Sequence, residues 1–144
     1  MRVVVVAVGR VKEAGLREAI DEYLTRARRH VRVDETELAD GAGVAAAFAK
    51  AIPEGAHVIA LEVGGRARSS EDFARHLERV GSRGKGVVAL LIGGAEGLPG
   101  TVSAQADELL SLGAMTLPHR LARLVLAEQL YRATAIWRGE PYAK

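Results

Sequence analysis

The chain has 144 residues, 49% of them hydrophobic, and a formal net charge of +2 at neutral pH. This length predicts a single domain, residues 1–144, with a sizeable core, and so balanced a charge does not by itself predict a nucleic-acid partner. The chain has no cysteine, which excludes disulfides and cysteine-ligated metals.

Histidine spacing and hydropathy argue against two further classes. The histidines show no metal-ligand spacing, which argues against a zinc site: they are His30, His57, His76 and His119. No segment has the roughly 18 uninterrupted apolar residues of a membrane span. The N-terminus "MRVVVVAVGR" lacks a small-residue cleavage site, so it predicts a first strand rather than a signal peptide. We therefore expect a cytoplasmic protein without a metal or a membrane partner.

The first half of the chain alternates strand and helix patterns. Val3 to Val8 is a continuous apolar run, mostly β-branched, that predicts a strand covered on both faces, and Gly9 ends it. An apolar stripe over residues 13–29 predicts an amphipathic helix. "VRVDETEL" (31–38) then predicts a second strand, and "VAAAFAKAI" (44–52) predicts a short helix.

The third and fourth strands follow. "HVIALEV" (57–63) predicts a strand that ends at Gly64-Gly65. Ser69 and Asp72 form a capping-box pattern that opens a helix over 70–80. "VVALLI" (87–92) predicts the fourth strand.

Three elements complete the chain. "TVSAQADELL" (101–110) predicts a helix, and "LSLGAMTL" (110–117) predicts a short strand or an extended loop. Pro118 precedes a long final helix, residues 119–138. Strands that alternate with helices indicate an α/β fold with a mainly parallel sheet.

Glycines and basic residues concentrate in the loops after the strands. Ligands of parallel sheets bind beyond the carboxyl ends of the strands. Each glycine pair alone is explained by an ordinary turn, and each basic residue alone by a solvated rim. Together they predict a binding edge that attracts an anion, formed by Gly9, Arg10, Lys12, Gly64, Gly65, Arg66, Arg68, Gly93 and Gly94.

These glycines fail the common nucleotide fingerprints. "GGAEGLPGT" (93–101) lacks the lysine and the spacing of a phosphate-binding loop, and no G-x-G-x-x-G follows the first strand. Because the glycines come late, we expect the site in the C-terminal half. Residues 112–117 are too apolar for an ordinary exposed loop, and their small residues would let the backbone approach a planar ring. This suits an adenosine group without a phosphate, such as S-adenosylmethionine; the alternative is a short core strand.

Two long motifs carry a family resemblance. "LLIGGAEGL" (90–98), "LSLGAMTLPHRLARLVLAEQLYRA" (110–133) and a late Pro-Tyr resemble the RlmH family, small bacterial methyltransferases of the SPOUT (trefoil-knot) class. "VAVG" (6–9) and "EYL" (22–24) extend the resemblance over almost the whole chain. It implies an α/β knot, a homodimer, and methyl transfer from S-adenosylmethionine to N3 of a pseudouridine in 23S rRNA.

The resemblance also implies the cofactor contacts. Gly93 would lie against the cofactor, since a side chain there would occupy the cofactor's volume. The full set is Leu61, Gly93, Leu112, Gly113, Ala114, Met115, Thr116 and Leu117. Family members often have proline where this chain has Ala95, a change that we expect to alter loop stiffness rather than chemistry.

Basic residues are the expected RNA contacts. His119, Arg120 and Arg123 begin the last helix, whose N-terminus favours an anion, so Arg123 is expected to bind a phosphate and help position the substrate. A solvated or dimer-interface charge is the alternative for Arg123, and a capping or packing role is the alternative for His119. The expected RNA-binding set is Arg10, Lys12, His119, Arg120, Arg123 and Lys144.

The C-terminal tail departs from the family. Members commonly have a histidine on each side of Pro-Tyr, but this chain ends Glu140-Pro141-Tyr142-Ala143-Lys144. We expect the tail to project from the last helix, Tyr142 to stack on the target base and Lys144 to contact phosphate. Glu140, Tyr142 or water would accept the N3 proton. The predicted catalytic residues are therefore Tyr142, Glu140 and Arg123. The alternative function is a non-catalytic cofactor- or RNA-binding member of the fold.

The final helix carries apolar residues around much of its girth. Part of this surface is expected to pack on a second copy, with RNA bound across both copies. The apolar residues are Leu121, Leu124, Val125, Leu126, Leu130 and Ile136.

Overall fold

The computed structural model describes residues 1–142 and confirms the α/β fold. In this part of the chain a five-stranded parallel sheet has the order β2-β1-β4-β3-β5. The strands are β1 (Arg2–Val8), β2 (Arg32–Leu38), β3 (His57–Ala67), β4 (Val87–Ile92) and β5 (Glu108–Ser111). The helices are α1 (Ala14–Ala27), α2 (Val44–Ala51), α3 (Ser70–Gly81), α4 (Gly100–Gln105) and α5 (His119–Trp137).

Two of the interior strands, β1 and β4, are covered on both faces. Helices α1, α3 and α5 pack on one face, against alternate residues such as Val5 and Leu90. Helices α2 and α4 cover the other face, where Phe48 packs against Val6 and Leu91. This two-sided cover explains why both strands are continuous apolar runs rather than alternating patterns.

The predicted helix over 101–110 is wrong in its second half. Helix α4 ends at Gln105, and β5 begins at Glu108. The Asp107 amide donates to the Val58 carbonyl over 2.9 Å, and the Val58 amide donates to the Asp107 carboxylate over 2.7 Å. Pairing with β3 therefore takes these residues out of the helix that their local pattern favours.

Strand β3 continues past the glycines that were expected to end it. Its pairing with β5 shifts between Leu61 and Arg66, so the chain bulges out and then returns to the same strand. A Cβ on Gly65 would lie 2.7 Å from the Leu109 carbonyl carbon, closer than atoms pack. Gly65 is therefore needed for the close return of β3 against β5.

The long final helix agrees with the sequence. It ends at Trp137, and Gly139 has φ +68°, a left-handed conformation that favours glycine after a helix. Within residues 1–142 no helix combines the length and apolar character needed to cross a membrane. The knotted chain path implied by the resemblance stays a prediction.

Candidate functional site

A cleft of about 190 Å³ opens at the bulge of β3 and at the carboxyl ends of β4 and β5. The β3 bulge, the segments after β4 and β5, and the first turn of α5 form its walls. Seven of the eight expected cofactor contacts line it: Leu61, Gly93, Leu112, Gly113, Met115, Thr116 and Leu117. Ala114 does not line it. The fold thus gathers the residues predicted from three separate segments, and their contact with a cofactor stays a prediction.

The 112–117 segment is a loop rather than the short core strand that was the alternative. Strand β5 ends at Ser111, whose hydroxyl donates to the Gly113 carbonyl and accepts from the Gly113 amide. Met115 is 85% exposed, and Leu117 is 36% exposed. An apolar loop left so open beside a cleft indicates a surface that another molecule covers.

Gly93 is required for a different reason from the one expected. A Cβ on Gly93 would lie 2.3 Å from the Gly97 carbonyl carbon and 2.5 Å from the Leu98 nitrogen. The backbone that approaches Gly93 therefore belongs to its own loop, which folds back across it in an isolated bridge between Gly94 and Gly97. The expectation that a side chain at position 93 would occupy the cofactor's volume is corrected: such a side chain would clash with Gly97 and Leu98 of the cleft wall.

His119 lies at the cleft against the loop after β1. It lines the cleft, and a Cβ on Gly9, which has φ +89°, would lie 3.2 Å from the His119 Cε1 atom. Pro118 is the N-cap residue and no side chain caps the helix, so His119 packs rather than caps. Among residues 1–142 the buried His119 Nδ1 has no hydrogen-bond partner. That atom is a polar group available to a bound molecule.

The carboxylate of Glu62 is a site residue that sequence reasoning missed. Glu62 follows Leu61, lines the cleft and is half-buried. The Ser103 hydroxyl on α4 donates to Glu62 Oε1 over 2.5 Å, which fixes the carboxylate. An acidic residue immediately after a buried strand segment was the available signal, but its partner lies 41 residues away.

The structure places Arg123 away from the expected phosphate contact. Its side chain is 1% exposed and pairs with Glu35 at 2.6 Å and Glu37 at 2.7 Å. Its Nη1 also donates to the Gly9 carbonyl over 3.1 Å. A guanidinium neutralised by two carboxylates inside the protein is unsuited to bind RNA phosphate or the reacting base, so both expected roles are corrected to a structural one.

The other expected RNA contacts are accessible or outside the described residues. Arg10 and Lys12 are exposed in the loop after β1. Arg120 is exposed and lies 3.3 Å from Glu13. Arg68 is turned inward, 6% exposed, and pairs with Asp72, so it does not belong to an anion-attracting edge. Lys144 lies outside the described residues.

The tail, as far as Tyr142, folds back onto α5 instead of projecting from it. The Tyr142 hydroxyl donates to Glu128 Oε2 over 2.9 Å, and its ring lies 4.6 Å from the Tyr131 ring. Burial, together with the hydrogen bond to Glu128, raises the pKa of Tyr142 above its ordinary value. Tyr142 therefore stays protonated at neutral pH and is a poor proton acceptor.

Glu140 is equally unsuited to the expected role of base. It is exposed, and Arg138 donates to its carboxylate over 2.8 Å, which lowers the pKa of Glu140 below its ordinary value. Neither Glu140 nor Tyr142 lines the cleft in the described chain. Both placements favour a different acceptor for the substrate proton.

Comparison with known proteins agrees with this geometry. The family model described as "Predicted SPOUT methyltransferase" matches residues 1–143. This chain belongs to the SPOUT methyltransferase family. A Sorangium cellulosum protein named "Ribosomal RNA large subunit methyltransferase H" is 63% identical over 145 residues, covering 99% of each chain. The resemblance to the RlmH family is thereby confirmed.

Solved structures share the SPOUT fold at low sequence identity. A probable methylase family protein from Haemophilus influenzae gives a TM-score of 0.61 at 14% identity, covering 99% of this chain and 70% of that one. An AdoMet-bound rRNA methyltransferase from Sinorhizobium meliloti gives 0.52 at 15% identity, covering 91% and 56%. These likenesses extend over nearly all of the sheet and its helices.

Proposed function

We propose that this SPOUT family member transfers a methyl group from S-adenosylmethionine to N3 of a pseudouridine in 23S rRNA of the large ribosomal subunit. The observation that carries the proposal is the cleft where Leu61, Gly93 and residues 112–117 meet. The 63% identical relative, named for methylation of large-subunit rRNA, supports the substrate class. Ribosomal RNA as the substrate also supports a cytoplasmic location.

The cleft residues fit an adenosine-bearing methyl donor. Leu61, Leu112 and Leu117 supply apolar walls, and Gly93 and Gly113 expose backbone at the surface of the cleft. Among residues 1–142 no lysine or arginine lines the cleft, so its lining does not favour a ligand with a phosphate. The AdoMet-bound rRNA methyltransferase of similar fold supports this choice of cofactor. When bound, S-adenosylmethionine supplies an electrophilic methyl on a sulfonium, so the protein must position the base and accept its N3 proton.

We assign the proton acceptor to Glu62. Its carboxylate borders the cleft, and the hydrogen bond from Ser103 holds it in one orientation. A positioned general base contributes about 10²–10⁴-fold to a rate, and correct alignment of the reacting groups contributes about 7–11 kcal/mol. Exposed Arg10, Lys12 and Arg120 attract the RNA backbone.

A homodimer would cover the apolar surface beside the cleft. Of the α5 residues that suggested an interface, Leu126 and Leu130 are buried in the chain's own core, but Leu121 and Val125 are 37% and 36% exposed. Val63, Leu109, Met115 and Leu117 are exposed too. We infer that a second copy packs here, so light scattering at micromolar concentration should give twice the chain mass, and a monomer would contradict the assembly.

The test of the proposed function is methyl transfer to ribosomes that lack the modification. Protein and labelled S-adenosylmethionine are incubated with ribosomes, separated subunits and free rRNA. Nucleoside analysis of the 23S rRNA should find label on N3 of one pseudouridine. Ribosomes whose target uridine is not isomerised are the matched control for base identity. Label at another atom or in the small subunit would contradict the proposal.

A non-catalytic member of the family is the second candidate, favoured by the absent tail histidines. It requires cofactor or RNA binding without transfer. Calorimetric binding of S-adenosylmethionine, with no label entering any ribosomal RNA, would support it. Glu140 and Ala143 stand on either side of Pro141-Tyr142, where the resemblance to the RlmH family implies histidine.

A further inference from the structure

Three residues distant in sequence converge at the amino ends of β3 and β5. His57 begins β3, Glu108 begins β5, and His76 lies on α3, which packs beside them. His57 Nε2 and His76 Nε2 each lie 2.6 Å from the same Glu108 oxygen, Oε2. These three side chains, the His57–His76–Glu108 cluster, lie at the opposite end of the sheet from the cofactor cleft.

We propose that the His57–His76–Glu108 cluster binds a divalent transition-metal ion of the zinc class. The ligands are Nε2 of each histidine and a carboxylate oxygen of Glu108, and the ligand atoms lie within 4.8 Å of one another. Two imidazoles and one carboxylate form a common three-ligand set of open zinc sites. Imidazole nitrogen is a poor ligand for magnesium and calcium, which prefer oxygen.

The cluster needs only a small expansion to admit the ion. Metal–ligand bonds of about 2.0–2.2 Å in tetrahedral geometry separate the ligand atoms by about 3.3 Å. The two nitrogen–oxygen distances of 2.6 Å must therefore lengthen by only about 0.7 Å. The side chains of His57, His76 and Glu108 are 29%, 12% and 19% exposed, so the site is sheltered but still accessible to an ion from solvent.

The groups that contact Nδ1 of each histidine ring determine how readily Nε2 can bind the ion. A metal takes the lone pair of Nε2, so each ring must carry its proton on Nδ1. His57 Nδ1 faces the Asp107 carboxylate at 3.9 Å, which favours that tautomer. His76 Nδ1 lies 3.0 Å from Arg79 Nη2, so the exposed Arg79 must turn away when the ion binds.

The positive charges of Arg68 and Arg79 should weaken the affinity of the cluster for a metal ion. Arg68 Nη2 lies 3.6 Å from Glu108 Oε1, the oxygen that a single metal bond would leave free. This contact orients the carboxylate but adds positive charge beside the ion. Removing Arg79 instead frees His76 and removes repulsion, so Arg79→Ala should tighten metal binding about twofold to fivefold.

Occupancy would link β3, α3 and β5 through one ion. Strand β5 is short, and Leu110, two residues beyond Glu108, lines the cofactor cleft. An ion at the start of β5 therefore stabilises the strand that supports the cleft without touching the reacting groups. Its effect belongs to stability rather than to the methyl-transfer step.

The experiment is a calorimetric titration of the metal-free full chain with Zn²⁺, with Mg²⁺ as the control ion. We expect one Zn²⁺ per chain, a raised thermal midpoint, and visible absorption of a tetrahedral type when Co²⁺ replaces zinc. His57→Gln, His76→Gln and Glu108→Gln should each weaken binding at least about tenfold. His30→Ala, which changes an exposed histidine outside the cluster, should leave binding unchanged.

The wild-type titration decides the proposal even if a variant fails to fold. No heat with Zn²⁺ and no Co²⁺ absorption would show a hydrogen-bonded cluster only and overturn the inference. Zinc binding that persists equally in the folded His57→Gln and His76→Gln proteins would assign the ion to another site and overturn it as well. Tighter binding in Arg79→Ala supports the assigned geometry, whereas weaker binding there contradicts it.

Discussion

Arg123 on α5 and Glu35 on β2 form an ion pair of 2.6 Å across 88 residues of sequence. The same guanidinium pairs with Glu37 and hydrogen-bonds the Gly9 carbonyl, while Arg17 on α1 contacts both carboxylates. This cluster joins the final helix, the edge strand and the loop after β1. It therefore holds the His119 end of α5 against the sheet that forms the cleft.

Removing Arg123 should destabilise the fold. Arg123→Met removes the guanidinium and leaves Glu35 and Glu37 with Arg17 as their remaining partner, which should cost about 1.5–3 kcal/mol, the contribution of hydrogen bonds to charged groups. Urea unfolding measures the loss. Arg75→Met is the matched control, because Arg75 lies exposed 3.9 Å from Glu78 and such pairs contribute about 0–1 kcal/mol. Equal free energies of unfolding in the two variants would show that Arg123 contributes no more to stability than an exposed arginine does.

The same cluster predicts acid sensitivity. Burial alone would raise the pKa of Glu37, but the hydrogen bond and charge of Arg123 outweigh it and hold that pKa below its ordinary value of 4.5. A carboxyl with a lowered folded pKa stabilises the protein fully above the unfolded pKa and loses that contribution as pH falls through the folded one. Unfolding midpoints should therefore fall on acidification below about pH 4.5. Glu37→Gln should flatten that decline, and an unchanged pH profile would contradict the assignment.

Local patterns predicted most elements because each agrees with its tertiary surroundings. The apolar runs of β1 and β4, and the Ser69 cap that accepts from the Asp72 amide, are examples. The failures are tertiary in origin. Residues 108–110 have a helical pattern but pair with β3, and Gly64-Gly65 serve a bulge inside a strand rather than its end.

Gly93→Ala should abolish cofactor binding by displacing the cleft wall. The added Cβ would overlap the Gly97 carbonyl carbon at 2.3 Å, so the 93–98 loop, which lines the cleft together with Leu61 and Leu117, must shift. Calorimetry should show at least about a hundredfold loss of S-adenosylmethionine affinity in a folded protein, or about 3 kcal/mol. Gly100→Ala, which meets no atom within 4 Å, should bind normally. Full affinity in Gly93→Ala would mean that the loop does not form the site.

The candidate site was predictable in position but not in chemistry. Late glycines and the apolar 112–117 segment located the cleft, since both follow strand ends. The partner of each charged side chain could not be predicted from the sequence. Arg123 pairs with Glu35, and Glu62 accepts from Ser103, because elements far apart in the chain pack together. Sequence spacing missed the His57–His76–Glu108 cluster for the same reason.

Glu62→Gln should slow methyl transfer without weakening cofactor binding. The amide keeps the shape of the side chain but cannot accept the N3 proton, so the single-turnover rate should fall about 10²-fold. Glu96→Gln is the control, because Glu96 is exposed on the loop after β4 and does not line the cleft. A full rate in Glu62→Gln would leave water as the acceptor and remove the catalytic role of Glu62.

The tail tests whether the ring or the hydroxyl of Tyr142 matters. The ring packs edge-on against Tyr131 and under Arg132, contacts worth about 0.5–1.5 kcal/mol each, and the hydroxyl is occupied by Glu128. Tyr142→Phe should therefore keep nearly the full single-turnover rate. Tyr142→Ala removes these ring contacts and should lower the free energy of unfolding in urea by about 0.5–1.5 kcal/mol. Its single-turnover rate should also stay nearly full, because Tyr142 does not line the cleft. Cofactor affinity should be unchanged in both.

A histidine introduced at position 143 tests whether this chain already has a proton acceptor in Glu62 or lacks one. If Glu62 accepts the proton, Ala143→His should leave the rate within about twofold of the parent, since one general base already supplies its 10²–10⁴-fold. In the Glu62→Gln background the same histidine should leave the rate low, because Tyr142, the residue before it, packs on α5 outside the cleft. Single-turnover methylation of ribosomes between about pH 5.5 and pH 8.5 measures both. A large acceleration by Ala143→His in the parent protein would show that this chain lacks an acceptor and that Glu62 is not one.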